Sequence, residues 1–511
     1  MYISLVEAKG LGNMERRMTE STRYLCAAVQ IDEEFCDQII EEFFEEDYQV
    51  IGICHGVDLP TVLKSCLLAK KRRENRDELL KFLFFVCSII IITLLFFSKQ
   101  VYYEYLALLT IIFYFIASAI IVFIDKIKSR YGIVGKHISK RNFNPDFISS
   151  EFMKLTLSSD ENEKLKEVSE SQTANVIIYG GYSPFVGSGL NINGWSFVLD
   201  INKAKEEIGA TNQPIDFQVS ELYDCITNSI ISLGLDNLSI EDNLYINGQE
   251  IRDRKEFLSD PLKRPITRVD DSLIKSYIEK TEKTTDSVRH YKCLRVTDWK
   301  GELILSIFLR FSKIGQNLFI EANYYLLTPL RSYYRQYDEI ESQPSGENLL
   351  ELAVQSTLKA FVSVFLLVIF PVVIPMYIST YQEREQRKNN ARKNKIKEIK
   401  SNYSFNYGAI TSLRERMSQE EYQRFFQKLD QEMYLKIIER RIVDSLSFFL
   451  DSKNIDTSDF KETKSTILNH GVILSGGSIH THNMAVGINA KSKSNNGGAA
   501  RPTDGKDDDA K

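Results

Sequence analysis

Three stretches of the chain, residues 79–97, 105–124 and 358–379, are almost purely apolar. Each approaches the roughly 20 residues that an α-helix needs to cross a hydrocarbon core. Elsewhere apolar and polar positions alternate with shorter periods. Behind Asp32, Phe35, Ile39, Ile40 and Phe43 recur at helical spacing, with the aspartate placed to cap the helix. A second helix is predicted from Asp58, where Pro60 fits the first turn, through Leu63, Cys66 and Leu67 into Lys70-Lys71-Arg72-Arg73.

From about residue 175 the period changes. Val176-Ile177-Ile178-Tyr179 and Trp195-Ser196-Phe197-Val198-Leu199 read as strands around a glycine-rich loop, and Ser220 caps a helix bearing Leu222, Ile226, Ile230 and Leu233 before Gly234. Asn247-Gly248 after Leu244-Tyr245-Ile246 predicts a type I′ hairpin. Three long strands follow at 290–296, 302–311 and 317–327. Further on, Ser418-Gln419-Glu420-Glu421 reads as a capping box opening a long helix. Its apolar side carries Tyr422, Phe425, Phe426, Leu429, Met433 and Ile437, which suits packing on a partner.

The fold class expected is an α+β membrane protein. Its parts are a helical cytoplasmic domain (1–77), a transmembrane helical hairpin (79–124) and a mixed, mostly antiparallel α+β soluble domain (170–335). A third transmembrane or re-entrant segment (356–379), a basic segment with a long C-terminal helix (380–455), a glycine-rich β-like segment (465–490) and a disordered tail (491–511) complete it.

Charge assigns sides. The net charge of −5 makes no case for nucleic acid, and none is predicted as a partner. Basic residues instead crowd beside the apolar runs: Lys70, Lys71, Arg72 and Arg73 before the hairpin, and Arg384, Arg387 and Lys388 after the third run. Both sets are expected to anchor at the membrane surface, with membrane lipids as partners. The positive-inside rule puts both ends of the hairpin, and the amino terminus, in the cytoplasm. The third run then conflicts with the rule, because acids precede it and bases follow it. A segment bent back by Pro371 and Pro375 resolves the conflict, and a plain span is the alternative. With Cys26, Cys36, Cys54 and Cys66 on the cytoplasmic side and Cys87 in lipid, the seven cysteines are expected as reduced thiols.

Candidate chemistry is sparse. Pro184, Phe185, Gly187 and Gly189, with Trp195, form a loop that either offers backbone amides and aromatic rings to a ligand or makes a tight strand connection. No P-loop or dinucleotide companions accompany it. His480 and His482 alternate without supporting carboxylates or thiols, so no metal is assigned. No catalytic motif is present, and no catalytic residue or cofactor is assigned.

Several stretches resemble a group of uncharacterised bacterial multi-pass membrane proteins, best represented in actinomycetes: residues 22–28 (TRYLCAA), 181–189 (GYSPFVGSG), 317–322 (NLFIEA), 471–477 (GVILSGG) and 485–487 (AVG). The resemblance implies a bacterial cell membrane and carries over no catalytic residues. The function expected is a non-enzymatic, membrane-anchored sensor, scaffold or effector that binds a ligand or partner through its cytoplasmic α+β domain and self-associates, with a bacterial stress or defence system as the setting considered. An oligomeric channel or transporter is the alternative, and a membrane-bound enzyme acting on a lipid or nucleotide the third reading.

Overall fold

The computed structural model describes residues 19–97, 101–205, 213–279, 287–368, 386–387 and 389–461. The amino-terminal part is helical: α1 (Glu20–Ile31), α2 (Glu33–Ile40), α3 (Leu59–Phe97), α4 (Val101–Ile127) with a π-helical continuation (Lys128–Ile138), α5 (Pro145–Phe152) and α6 (Ser159–Ser171). Asp32 separates the first two and accepts the Phe35 amide at 3.1 Å, the cap expected from sequence. Helix α1 is buried along almost its whole length because it packs on α3 and on the π-helical segment. The core of this body joins Leu25, Val29, Ile39 and Leu63 to Tyr131 and Val134, and also to Leu330, Leu352 and Leu413 from far along the chain. It therefore reaches well past the boundary expected at residue 77.

The second part is a mixed six-stranded sheet in the order β1 (Val176–Tyr179), β3 (Leu238–Asn247), β4 (Val288–Asp298), β5 (Leu303–Ile314), β6 (Asn317–Leu327), β2 (Leu190–Asp200). β1 runs parallel to β3 and every other pair is antiparallel. Helices α7 (Val219–Ile231) and α11 (Phe425–Ser452) cover one face, burying Leu222, Ile226, Ile442 and Leu446 against Leu294, Ile307 and Ile320. The loop after β1 covers part of the other.

Three local readings need correction. Asn247-Gly248 makes no hairpin: Gly248 donates to Tyr179 O and accepts from the Tyr407 amide, so the chain leaves the sheet for α8 (Asp271–Glu279) before returning as β4. Ser418 opens no helix either. It terminates the short helix α10 (Leu413–Met417), and α11 begins only at Phe425, leaving Tyr422 outside it. The α7 cap is Gln218 rather than Ser220.

Among the described residues one helix, Tyr102–Ile138, is long and apolar enough to cross a membrane, and only 22% of its most apolar window is buried inside the protein. The expectation of several spans is not met at this level. The apolar end of α3 runs to the edge of the described residues at Phe97, and α9 (Gly346–Val368) ends partway through the third run. Pro371, Pro375, the segment 465–490 and the tail 491–511 lie outside the described residues, as do Arg384, Lys388, His480 and His482. All seven cysteines are free.

The ends of α3, α4 and α9 pack together, with Cys87, Tyr114, Phe84 and Val364 at their centre. Large apolar side chains point outward from all three, among them Phe82, Ile89, Leu109, Phe113, Leu358 and Phe361. Beyond the third run the chain rejoins the body. Ile399, Phe405 and Tyr407 pack with Val176 and Leu244, and Leu413 joins Leu330 and Leu352.

Candidate functional site

The glycine loop between β1 and β2 is built around Phe185. Its ring stacks on Phe308 at 4.1 Å and meets Tyr245, Tyr291 and Tyr325 edge-on or tilted, which buries it against the sheet. Pro184 precedes it, half-buried. Gly187 and Gly189 both have φ near +87°, a left-handed conformation that side chains resist. A Cβ at these positions would also fall 2.4 Å from Ile53 O and 2.2 Å from Leu326 O.

The loop does present amides to an anion, and the anion is the protein's own. Glu415 accepts from Gly187 N at 3.0 Å and from Gly189 N at 2.8 Å. The same carboxylate accepts from Ser412 N at 3.1 Å, while Ser412 Oγ accepts the Glu415 amide, closing a capping box at the start of α10. One residue earlier, Arg414 is fully buried and donates to Glu302 O at 3.0 Å and Thr328 O at 2.7 Å. Burial lowers its pKa to about 10, an effect that the nearby Glu302 partly offsets. Helix α10 is thus a clasp between the glycine loop and the sheet, and the loop's amides are committed to it.

Trp195 does not join Phe185. The two lie on opposite faces of the sheet, since Trp195 pairs with Ala322 on the helix-covered face and donates to Tyr324 Oη at 2.6 Å. Tyr324 in turn donates to Glu439 of α11 at 2.6 Å.

The candidate site lies at the free edge of β3, past the end of β1. There a cleft of about 840 Å³ opens between α7, α8 and residues 172–175. Its floor is a cross-strand ion pair: Asp242 of β3 takes Lys292 of β4 at 2.9 Å and His290 Nε2 at 2.9 Å. Burial works to raise the Asp242 pKa, but the His290 hydrogen bond and the Lys292 charge outweigh it, so the carboxyl sits below its ordinary value. The pairing of β4 with β5 begins only at Lys292. Where the two strands part, Tyr223 of α7 fills the gap, accepting the Phe311 amide at 3.0 Å and meeting His290 Nδ1 at 3.3 Å. Asp224, Asn243, Arg268 and Lys275 complete a polar wall.

Both His290 nitrogens are engaged, so the imidazole, buried behind Asp242, is held in place and offers no lone pair as a base. The described residues contain no cluster of three or more histidine, cysteine or acidic side chains fit for a metal. What the cleft offers is hydrogen-bonding capacity of both signs. Sequence reasoning did not select Tyr223, Asp242, His290 or Lys292. Their signal was the alternation of His290 and Lys292 on a strand face whose next members are Leu294 and Val296.

A family model for the AbeC-like domain matches residues 194–481, more than half of the chain. The chain belongs to the AbeC-like family. No curated protein and no solved structure matches it. The AbeC-like region takes in the whole floor of the cleft and the Glu415 clasp, whereas Gly187 and Gly189 lie just before it.

The basic residues expected at the membrane surface divide. Lys70 and Lys71 are partly exposed beside Glu45 and Glu74. Arg72 and Arg73 instead turn inward: Arg72 pairs with Asp125 of α4 at 2.9 Å, and Arg73 donates to the carbonyls of Val29 and Gln30. They tie α3 to its neighbours. Arg387 is exposed.

Proposed function

We propose that this protein is a membrane-anchored, non-enzymatic sensor, scaffold or effector whose AbeC-like region binds a ligand or partner in the β3-edge cleft. The apolar ends of α3, α4 and α9 form its multi-pass anchor, and the folded body lies wholly in the cytoplasm. The observation that carries the reading is the shared packing of Leu330 and Leu352, before the third apolar run, with Leu413 after it. A run whose two flanks share one core leaves and returns on the same side, which supports the bent-back segment over a plain span.

A ligand-binding role is favoured over catalysis by the engaged state of His290 and the paired state of Asp242 and Lys292. A channel is disfavoured because hydroxyls on the apolar helices return to carbonyls of their own helix, as Ser88 does to Phe84 and Thr110 to Leu106. Alkaline carbonate extraction of membranes tests the anchor: the protein is expected in the pellet, and release to the supernatant would refute it. For the cleft, full-length protein carrying Lys275→Glu should lose the partner or ligand that wild type retains after solubilisation. Equal retention would refute the cleft as the binding site.

A further inference from the structure

At the boundary between the body and the apolar helices, α3, α4 and α9 enclose a cavity of about 350 Å³ together with the α1–α2 junction. Arg72, Arg73, Arg76, Lys126, Arg130 and Lys359 line it, against Asp32, Glu33, Glu34 and Asp125. The acids do not neutralise this set. Asp125 is shared by Arg72 at 2.9 Å and Arg76 at 3.3 Å, Glu33 reaches Arg76 at 3.4 Å, and Asp32 caps α2. Lys126 donates to the neutral amide of Gln355 at 2.9 Å and lies within electrostatic range of Lys359 and Arg130, with the carboxylate of Glu351 acting on it from beyond Gln355. Among the described residues none of Lys126, Lys359 and Arg130 has a carboxylate at ion-pair distance. Arg73 is 6% exposed; its guanidinium meets the carbonyls of Val29 and Gln30 and the Cys36 thiol, while its Nη1 is buried without an oxygen acceptor.

Six converging cations against four lining acids, three of the cations without a direct ion pair, are the complement of an oxyanion. Basic pockets between membrane helices on the cytoplasmic side suit anionic headgroups. We propose that this cavity binds a phosphate-bearing anion, either the headgroup of an anionic lipid or a free phosphate, between Arg73, Lys126, Arg130 and Lys359. The lipid source rests on the membrane reading above, whereas the anion chemistry stands on the cavity alone.

The test is thermal unfolding of the full-length protein in a neutral detergent, titrated with dioctanoyl phosphatidylglycerol, with dioctanoyl phosphatidylcholine as control, and separately with inorganic phosphate. A ligand of the native state raises the Tm as its concentration passes Kd. Phosphatidylglycerol is expected to raise the Tm saturably, phosphatidylcholine not to, and Lys126→Gln/Arg130→Gln/Lys359→Gln to abolish the shift. Because the triple variant can fail to fold, the exposed Lys359→Gln alone is measured as well, with an expected loss of affinity of at least threefold. A saturable response to inorganic phosphate without one to the lipid supports the anion site and assigns it a soluble source, even if carbonate extraction has refuted the anchor. No response of wild type to either anion, or equal responses in wild type and Lys359→Gln, overturns the proposal.

Discussion

Glu415 holds the glycine loop through two amides, and its removal strands both. Leaving a buried amide unsatisfied costs about 1–3 kcal/mol; since this carboxylate is only half-buried, Glu415→Ala is expected to destabilise the protein by about 2 kcal/mol in chemical denaturation. Gly187→Val should cost at least as much, because it adds a clash with Ile53 O to the roughly 1–2 kcal/mol of left-handed backbone. An unchanged Tm in either variant would contradict the clasp. Glu439 makes a second, pH-dependent case. Burial raises its pKa above the ordinary carboxylate value despite the hydrogen bond from Tyr324. The ionised form is therefore costlier in the folded than in the unfolded state, and this penalty grows as pH rises from the unfolded pKa through the folded one. Glu439→Gln keeps an acceptor for Tyr324 and removes the charge, so the Tm difference between variant and wild type should shift in the variant's favour from pH 4 to pH 7. A shift the other way would contradict the assignment.

At the scale of elements, the strands were legible because short runs rich in Val, Ile, Phe and Tyr, bounded by Gly and Asn, report on a sheet, and β1 and β6 lie where the pattern placed them. Two punctuation signals misled because other groups claimed them: Tyr179 and Tyr407 hold the Gly248 backbone. Ser412-Leu413-Arg414-Glu415 and Ser418-Gln419-Glu420-Glu421 carry the same capping pattern. Ser418 is diverted to Arg414, whose guanidinium and carbonyl both bond its hydroxyl, so the working box is the earlier one. Glu415 was equally invisible as the loop's anion, since it lies 228 residues from Gly187. Helix α11 buries Ile438, Ile442 and Leu446 and leaves Phe425, Phe426, Leu429, Met433 and Ile437 exposed. That outward stripe suits the self-association expected from the sequence. Because the side chains are exposed, Phe426→Ser with Met433→Ser should leave stability within about 0.5 kcal/mol per site while reducing the oligomeric mass seen by light scattering. An unchanged mass would remove α11 from any interface.

For the whole molecule, the charge pattern around the third run posed a conflict that sequence alone left open, because the packing of chain segments before and after it is not written in local periodicity. In the structure Ile399 and Tyr407 sit in a core with Val176, and Lys395 pairs with Glu46 at 2.5 Å, so the basic segment returns to the amino-terminal body. We propose that one folded body occupies one side of the membrane. The most direct test is labelling of single cysteines in intact cells with an impermeant maleimide, placed at Asp236 in the AbeC-like region, at Ser452 at the end of α11, and at Lys99 in the short connection of the hairpin. Lys99→Cys is expected to be labelled, while Asp236→Cys and Ser452→Cys are expected to react only after the cells are opened. Labelling of Ser452→Cys in intact cells, with Asp236→Cys protected, would show that the third run spans the membrane and would contradict the account.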